Sequence, residues 1–398
     1  MHFCKSYKDL PMHKDKYVFA QLASFLDRNK FNYIVRKYDG DRYVKHFTCW
    51  NQLLALMFGQ LSNRESLRDL IVALDAHHSK CYHLGMGKNV SKSSLARANQ
   101  DRDYHIFEEF GYYLVNEARQ KRVSDIFKLA GNVYAFDSTT IDLCLSVFWW
   151  AKFRKKKGGI KVHTLYDVET QIPTFFHITE ASAHDSTAMK EIPYESGSYY
   201  IFDRAYNHFK MLNKIHQIGA FFVVRAKMNL QYKPIKWKRR LNENVLSDVT
   251  IELTGFYPSQ YYPEHLRLVR YWDDEQKHEL VFLTNAMHIS ALQVAELYKN
   301  RRHVELFFKW LKQHLKIKKF WGTTENAVRI QIYVAICTYC LVAIVQKVMR
   351  LDRSTYEVLQ ILSISLTDKT HLRSLFDKTK FQNDKERFGL NEPNLFNY

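Results

Sequence analysis

The chain has 398 residues, 46% of them hydrophobic, with 59 Lys and Arg against 41 Asp and Glu and a formal net charge of +18. That length and apolar content exclude a mostly disordered chain and allow two or three domains around a sizeable core. The excess positive charge points to a polyanionic partner, nucleic acid or an anionic membrane surface.

Residues 1–125 read as a mostly helical unit. Apolar residues recur at helical spacing from Val18 to Leu26, Trp50 to Phe58, Ser66 to Ile71 and Phe107 to Val115. Arg64, Arg68, Lys92, Arg97 and Arg102 are spread through it. A helical DNA-binding module is one reading of them, and a solvated basic face is the other. The pattern changes near Asn132. Val133–Phe136 is a short β-prone run ending in Asp137, and Tyr199–Phe202 is another ending in Asp203. Between them, Ile160–Tyr166 alternates apolar and polar residues, and Asp167–Gln171 turns it into Ile172–Ile178 as a hairpin. Helices over His184–Ile192 and Phe209–Ile218 and a strand over Phe221–Val224 complete a mixed α/β sheet.

The first part of this core spans 126–230. Residues 231–285 interrupt it as a β-rich insertion, with strands at Val249–Leu253, Leu266–Trp272 and Glu279–Leu283 and a basic run, Lys236–Arg240. The core resumes over 286–350. Ser290 and Gln293 have capping-box spacing and open one helix that runs through Glu305 to Lys312. Ile332–Val345 is apolar but too short to span a bilayer, so it reads as a buried helix. Cys337 and Cys340 have CxxC spacing inside it, with no second pair nearby, and read as core cysteines. Cys4, Cys49, Cys81 and Cys144 are scattered and form no disulfide framework. Residues 351–398 form a polar, helical C-terminal region. With no apolar signal region at the N-terminus, a soluble cytoplasmic protein is expected.

Between Tyr298 and Lys312 one carboxylate, Glu305, sits among Lys299, Arg301, Arg302, Lys309 and Lys312. At about 100° per residue, Tyr298, Arg301, Glu305, Lys309 and Lys312 share roughly 80° of helix surface. Val304, Phe307, Phe308, Leu311 and Leu315 form a separate apolar stripe. Ion pairing at i,i+4 spacing accounts for Arg301, Glu305 and Lys309 but not for Tyr298 or Lys312. An acid in this setting reads as a metal ligand beside a phosphate track. Asp137 and Asp203 are its partners, each at the C-terminal end of a strand, where open α/β sheets bind ligands. Asp142, Asp167 and Asp185 compete for the role. Three such acids can hold two Mg2+ ions about 3.5–4 Å apart, an arrangement suited to phosphodiester chemistry. Lys152, Arg154, Lys155, Lys156, Lys157 and Lys161, beside Gly158 and Gly159, form a basic approach that would guide a phosphate backbone.

Tyr298-x2-Arg301-x3-Glu305-x6-Lys312 matches the Y-R-E-K signature of bacterial insertion-sequence transposases of the DDE class, the IS-four family. Asp137 in Ala-Phe-Asp-Ser-Thr and Asp203 in Ile-Phe-Asp-Arg-Ala-Tyr are similar to that family's first two acids. Segments 157–163, 183–186 and 320–327 are similar to those flanking them, and the chain resembles the family over nearly its whole length. Arg302 is a departure, since many relatives carry Trp there. The resemblance implies a ribonuclease-H-like α/β fold with a β-rich insertion, preceded by a helical domain that binds DNA ends. It implies catalysis by Asp137, Asp203 and Glu305 with Mg2+, for which Mn2+ substitutes. Tyr298, Arg301 and Lys312 would hold phosphates, and Lys309 and Lys161 would add DNA contacts. The implied partners are double-stranded DNA with terminal inverted repeats and a second copy of the chain, in the bacterial cytoplasm with the nucleoid. Some relatives hold a flipped base on aromatics of the insertion, and Trp237 and Trp272 are available for that here. The same fold also serves nucleases or resolvases without strand transfer, and catalytically silent regulators of transposition. The three acids argue against the silent form.

Overall fold

The structure is a computed structural model that describes residues 16–377 apart from 89, 122–126, 128, 144–145, 155–156, 239–241, 315–319 and 354. Helices come first: α1 (Val18–Ala23), α2 (Arg28–Lys37), α3 (Cys49–Leu61), α4 (Leu67–Ala76), α5 (Lys92–Asp101) and α6 (His105–Lys121). Asp27, Thr48, Ser66 and Ser91 each accept the backbone N–H three residues on, satisfying a donor that the first turn of a helix leaves open. Of the arginines in this region, Arg102 is internal: it donates to Gln52 Oε1 at 2.8 Å and to Phe47 O. Arg64 is half-buried against Asp69.

The sheet is built from β1 (Val133–Leu143), β2 (Lys152–Arg154), β3 (Lys157–Asp167), β4 (Ile172–Glu180), β5 (Tyr199–Phe202), β6 (Phe221–Arg225), β7 (Tyr232–Trp237), β8 (Val245–Leu253), β9 (Leu266–Asp273) and β10 (His278–Thr284). Among the described residues these form one ten-stranded mixed sheet in the order β2-β3-β1-β5-β6-β10-β9-β8-β7, with β4 also on β3. β1, β5 and β6 are parallel at the centre, and the remaining pairs are antiparallel. The β-rich residues 231–285 therefore extend the central sheet, because β10 lies antiparallel to β6. Buried Arg267 ties them to the chain that follows. Its guanidinium grips both oxygens of Asp248 at 2.7 Å and donates to Ala286 O and Ile289 O.

α7 (Asp185–Ala188), α8 (Phe209–Gln217) and α9 (Phe256–Tyr261) lie between strands. α7 is shorter than expected. The chain leaves it through three-residue bonds, Lys190 N to Thr187 O and Glu191 N to Ala188 O, and Pro193 follows. α10 (Ala291–Lys299), α11 (Arg302–His314), α12 (Glu325–Val348), α13 (Thr355–Ser365) and α14 (Leu372–Phe376) complete the described fold. Side chains alternate along β1: Val133 and Ala135 enter a large core shared with α1–α6 and α10–α14, and Tyr134 and Phe136 enter a smaller core with α7 and α8. α12 runs through the large core, buried along Ile330–Val345. It is long and apolar enough to cross a membrane, but its surface is covered by protein. Cys337 and Cys340 are buried, and burial pushes the Cys337 thiol well above its ordinary value.

The expected single helix through Glu305 is two helices. The capping box opens α10 as anticipated. After Lys299 the backbone tightens into three-residue bonds: Arg301 N to Tyr298 O at 3.0 Å, His303 N to Asn300 O at 3.1 Å and Val304 N to Arg301 O at 3.1 Å. Side chains compete for the carbonyls here. Asn300 Nδ2 donates to Glu296 O at 2.8 Å, and the His303 imidazole sits 3.1 Å from Asn300 O.

Candidate active site

The parallel pairing of β1 with β5 runs from Val133 beside Tyr199 to Phe136 beside Phe202 and stops there. Asp137 and Asp203 are the next residue on each strand, so they start as neighbours. Asp203 follows the end of β5 and begins a short turn. Asp137 is not at a strand end, because β1 continues to Leu143 as a partner of β3 alone. Strand pairing persists there because β3 is long enough to cover the extension.

The break between α10 and α11 brings Glu305 to the same corner. Arg301, in the connection, donates from Nη1 to Asp137 Oδ2 at 2.8 Å and from Nη2 to Glu305 Oε1. Tyr298, in the last turn of α10, donates from its hydroxyl to Asp203 Oδ1 at 3.3 Å. Its ring packs on Phe282 of β10. Side-chain exposure falls from 52% at Glu305 to 20% at Asp137 and 15% at Arg301. The Asp137 carboxyl is raised to about 6: burial lifts it most, Arg301 and the Ser138 N–H pull it down, and Glu305 and Asp203 add to the rise. Burial opposes the charge on Arg301, but Asp137, Tyr298, Glu305 and Asp203 together hold its guanidinium above its ordinary value. A groove of about 350 Å3 opens on this corner, lined by Arg225, Tyr298, Arg301, Arg302 and Glu305 among others.

Lys309 is exposed and Lys312 half-buried further along α11. Lys161 lies on β3, and its ammonium meets Asp185 Oδ1 at 3.1 Å and Ala183 O at 2.8 Å. Lys155 and Lys156 of the basic approach fall outside the described residues, as do Leu315 of the apolar stripe and Arg239 and Arg240 of the basic run. Trp237 is exposed on the outermost strand, β7. Of the competing acids, Asp142 is exposed on β1. Asp167 caps the β3–β4 turn by accepting from Glu169 N and Thr170 N, and it pairs with Arg119 at 3.1 Å. Asp185 stays near the corner, accepting from Ser138 Oγ at 2.8 Å.

Three carboxylates offer the hard oxygen donors that a divalent cation such as Mg2+ takes. Among the described residues, no three His, Cys, Asp or Glu side chains stand close enough together to hold a metal as they are. The cationic fork of Arg301 stands between Asp137 and Glu305. The donor chemistry of the three carboxylates fits a divalent cation.

A family profile described as a transposase DDE domain matches residues 129–341, more than half of the chain. The chain belongs to the DDE transposases. It is 34% identical to a protein of Sinorhizobium fredii named as a transposase, over 71% of this chain and 77% of that one. It is 27% identical to a protein of Geobacillus stearothermophilus named as a transposase for an insertion sequence element, over 63% and 66% of the two chains. A Synechocystis protein named in the same way is 26% identical over 64% and 72%. Residues 14–87 of this transposase match a family described as a domain of unknown function. As a DDE transposase the protein is an enzyme that acts on DNA, with nuclease and transposition activity that depends on a divalent metal.

Proposed function

We propose that this transposase is of the IS-four type and cuts and joins the terminal inverted repeats of an insertion sequence, with Asp137, Asp203 and Glu305 as the metal-holding acids. The single observation behind this reading is the corner where Arg301 and Tyr298 tie all three acids together. Mg2+, with Mn2+ as a substitute, would supply a polarised water and stabilise the leaving oxygen. The chain's own residues bind and orient. Arg301 presents a planar fork that suits a phosphate as well as it suits a carboxylate. Tyr298 offers a hydroxyl beside it, and Lys309 and Lys312 continue the positive charge along α11. Water attacks the phosphodiester first, and the freed 3′-hydroxyl then attacks target DNA. Residues 1–125 serve as the unit that binds the element ends, 126–230 and 286–350 as the catalytic core, and 231–285 as its insertion. Two ends must be joined, so the working form is a homodimer on DNA.

The test is metal-dependent cleavage and strand transfer on duplexes carrying the element's ends. Wild type is active with Mg2+ or Mn2+ and Glu305→Ala is not. Equal behaviour of the two proteins would end this assignment, and cleavage without strand transfer would make the protein a nuclease of the same fold.

A further inference from the structure

We propose that Asp185 is a positioning residue for Asp137, acting through Ser138, and that the Ala183–Ser186 segment holds it in place; this rests on reading Asp137 as a metal ligand. β1 loses β5 as a neighbour after Phe136, so the next residues of β1 need another support on that side. Ser138 supplies it twice. Its N–H donates to Asp137 Oδ1 at 2.8 Å, and its hydroxyl donates to Asp185 Oδ1 at 2.8 Å. The two bonds serve opposite faces of the sheet. Phe136 enters the small core, Ser138 shares its face by the two-residue period of a strand, and Asp137 points the other way, to Arg301.

Lys161 is directly opposite Thr140 in the β1–β3 register, which puts its side chain on the face of Ser138. There it meets Asp185 at 3.1 Å and is itself fixed by Ala183 O. Only 14% of the Lys161 side chain and 29% of that of Asp185 are exposed, so this is not a freely solvated pair. The turn is closed by His184. Its Nδ1 accepts from Ser186 N at 3.3 Å, and its carbonyl accepts from Thr187 Oγ1 at 2.6 Å. Asp185 therefore anchors Ser138 from behind the sheet where β5 no longer supports β1, and so holds in place the backbone amide that meets the Asp137 carboxylate. Partners that orient a metal-binding group are typically worth about 10–100-fold in metal affinity or activity.

The experiment uses the full chain bound to a duplex carrying the element's end. Mn2+ half-saturation is read by electron paramagnetic resonance, alongside kcat and KM for cleavage. Ser138→Ala and Asp185→Ala each raise the Mn2+ half-saturation point and lower kcat by about 10–100-fold, with KM for DNA unchanged. The double variant is no worse than the weaker single variant, because both act on one chain of bonds. Ser138→Thr keeps the hydroxyl and stays at the wild-type level. If Asp185→Ala does not fold, Ser138→Ala and Asp185→Asn carry the test. Wild-type Mn2+ binding and kcat in the folded variants overturn the proposal, as does a lower melting temperature as their sole defect. Asp137→Ala is the control: if it also binds Mn2+ and cleaves like wild type, the reading of Asp137 itself has failed.

Discussion

Asp137→Asn should abolish DNA cleavage and should gain stability relative to the metal-free wild type as pH rises from acid to neutral. The Asp137 carboxyl moves from its ordinary 3.8 to about 6 in the fold, because burial and the nearby Glu305 and Asp203 outweigh Arg301 and the Ser138 amide. The folded value lies above the unfolded one. The group's contribution to stability is therefore complete below about 3.8 and is lost as pH rises through about 6. At about 1.36 kcal/mol per pH unit, the ionised carboxylate costs the fold on the order of 3 kcal/mol at neutral pH. An amide of the same shape carries no charge to desolvate. Whatever it loses in packing or in its bond to Arg301 is the same at every pH and cancels from the comparison. The difference in stability should thus shift in the variant's favour by about 2.4 kcal/mol between about pH 4 and about pH 7.5. Urea unfolding of both proteins in the presence of a chelator, followed by circular dichroism, measures this. On the proposed ligand role of Asp137, excess Mg2+ should stabilise the wild type more than the variant. A variant-minus-wild-type difference that is the same at both pH values would refute the reasoning, since it would mean that Asp137 is solvated or fully neutralised by Arg301.

Glu305→Gln should keep DNA binding and reduce cleavage to background; its half-exposed side chain limits the stability change to about 1 kcal/mol, which thermal melting checks. Arg267→Ala leaves Asp248 buried without its main partner and should cost about 3–5 kcal/mol, with limited proteolysis cutting first within 231–285. His163 is fully buried and its imidazole is pushed down to about 4 by burial. Its folded value lies below its ordinary 6.5, so stability should fall as pH drops from 6.5 toward about 4, by about 3 kcal/mol in full. His163→Gln should flatten that acid limb in a pH series of urea midpoints.

The two aspartates were legible because Val133–Phe136 and Tyr199–Phe202 are apolar on both faces, as central parallel strands must be. Asp203 does leave the sheet after its run, whereas Asp137 lies where β1 outlasts its pairing with β5. The extension of β1 was not legible, since Asp137–Thr140 is polar and gains its strand character from β3, far along the chain. Residues 231–285 showed three of their four strands, β7 being hidden in a polar, basic stretch, but not their attachment, which depends on β10 finding β6. The competing acids could not be sorted by local context. Asp167 is distinguished by Arg119 and Asp185 by Ser138 and Lys161, and all of these partners are distant in sequence. The 320–327 segment, similar to relatives, turns out to join the helices to the core. Thr324 caps α12, and the Asn326 side-chain amide donates to carbonyls of Asn99, Gln100 and Arg102 around the end of α5.

Tyr298, Arg301 and Glu305 still share one side across the break between α10 and α11 for a physical reason. Three-residue bonds at the junction tighten the turn without reversing the chain, so residues spaced three and four apart still face one side. The break changes what that face does. In an unbroken helix Arg301 and Glu305 would form an ordinary surface pair. Here the connection turns Arg301 inward, where its second N–H group reaches Asp137 on β1. Each acid of the corner then has its own donor, Tyr298 for Asp203 and the two arms of Arg301 for Asp137 and Glu305. A lysine, as a single point charge, could not bridge the last two in this way. The spacing of Tyr298, Arg301 and Glu305 therefore carries the donors and the countercharge that let three carboxylates share one partly buried corner.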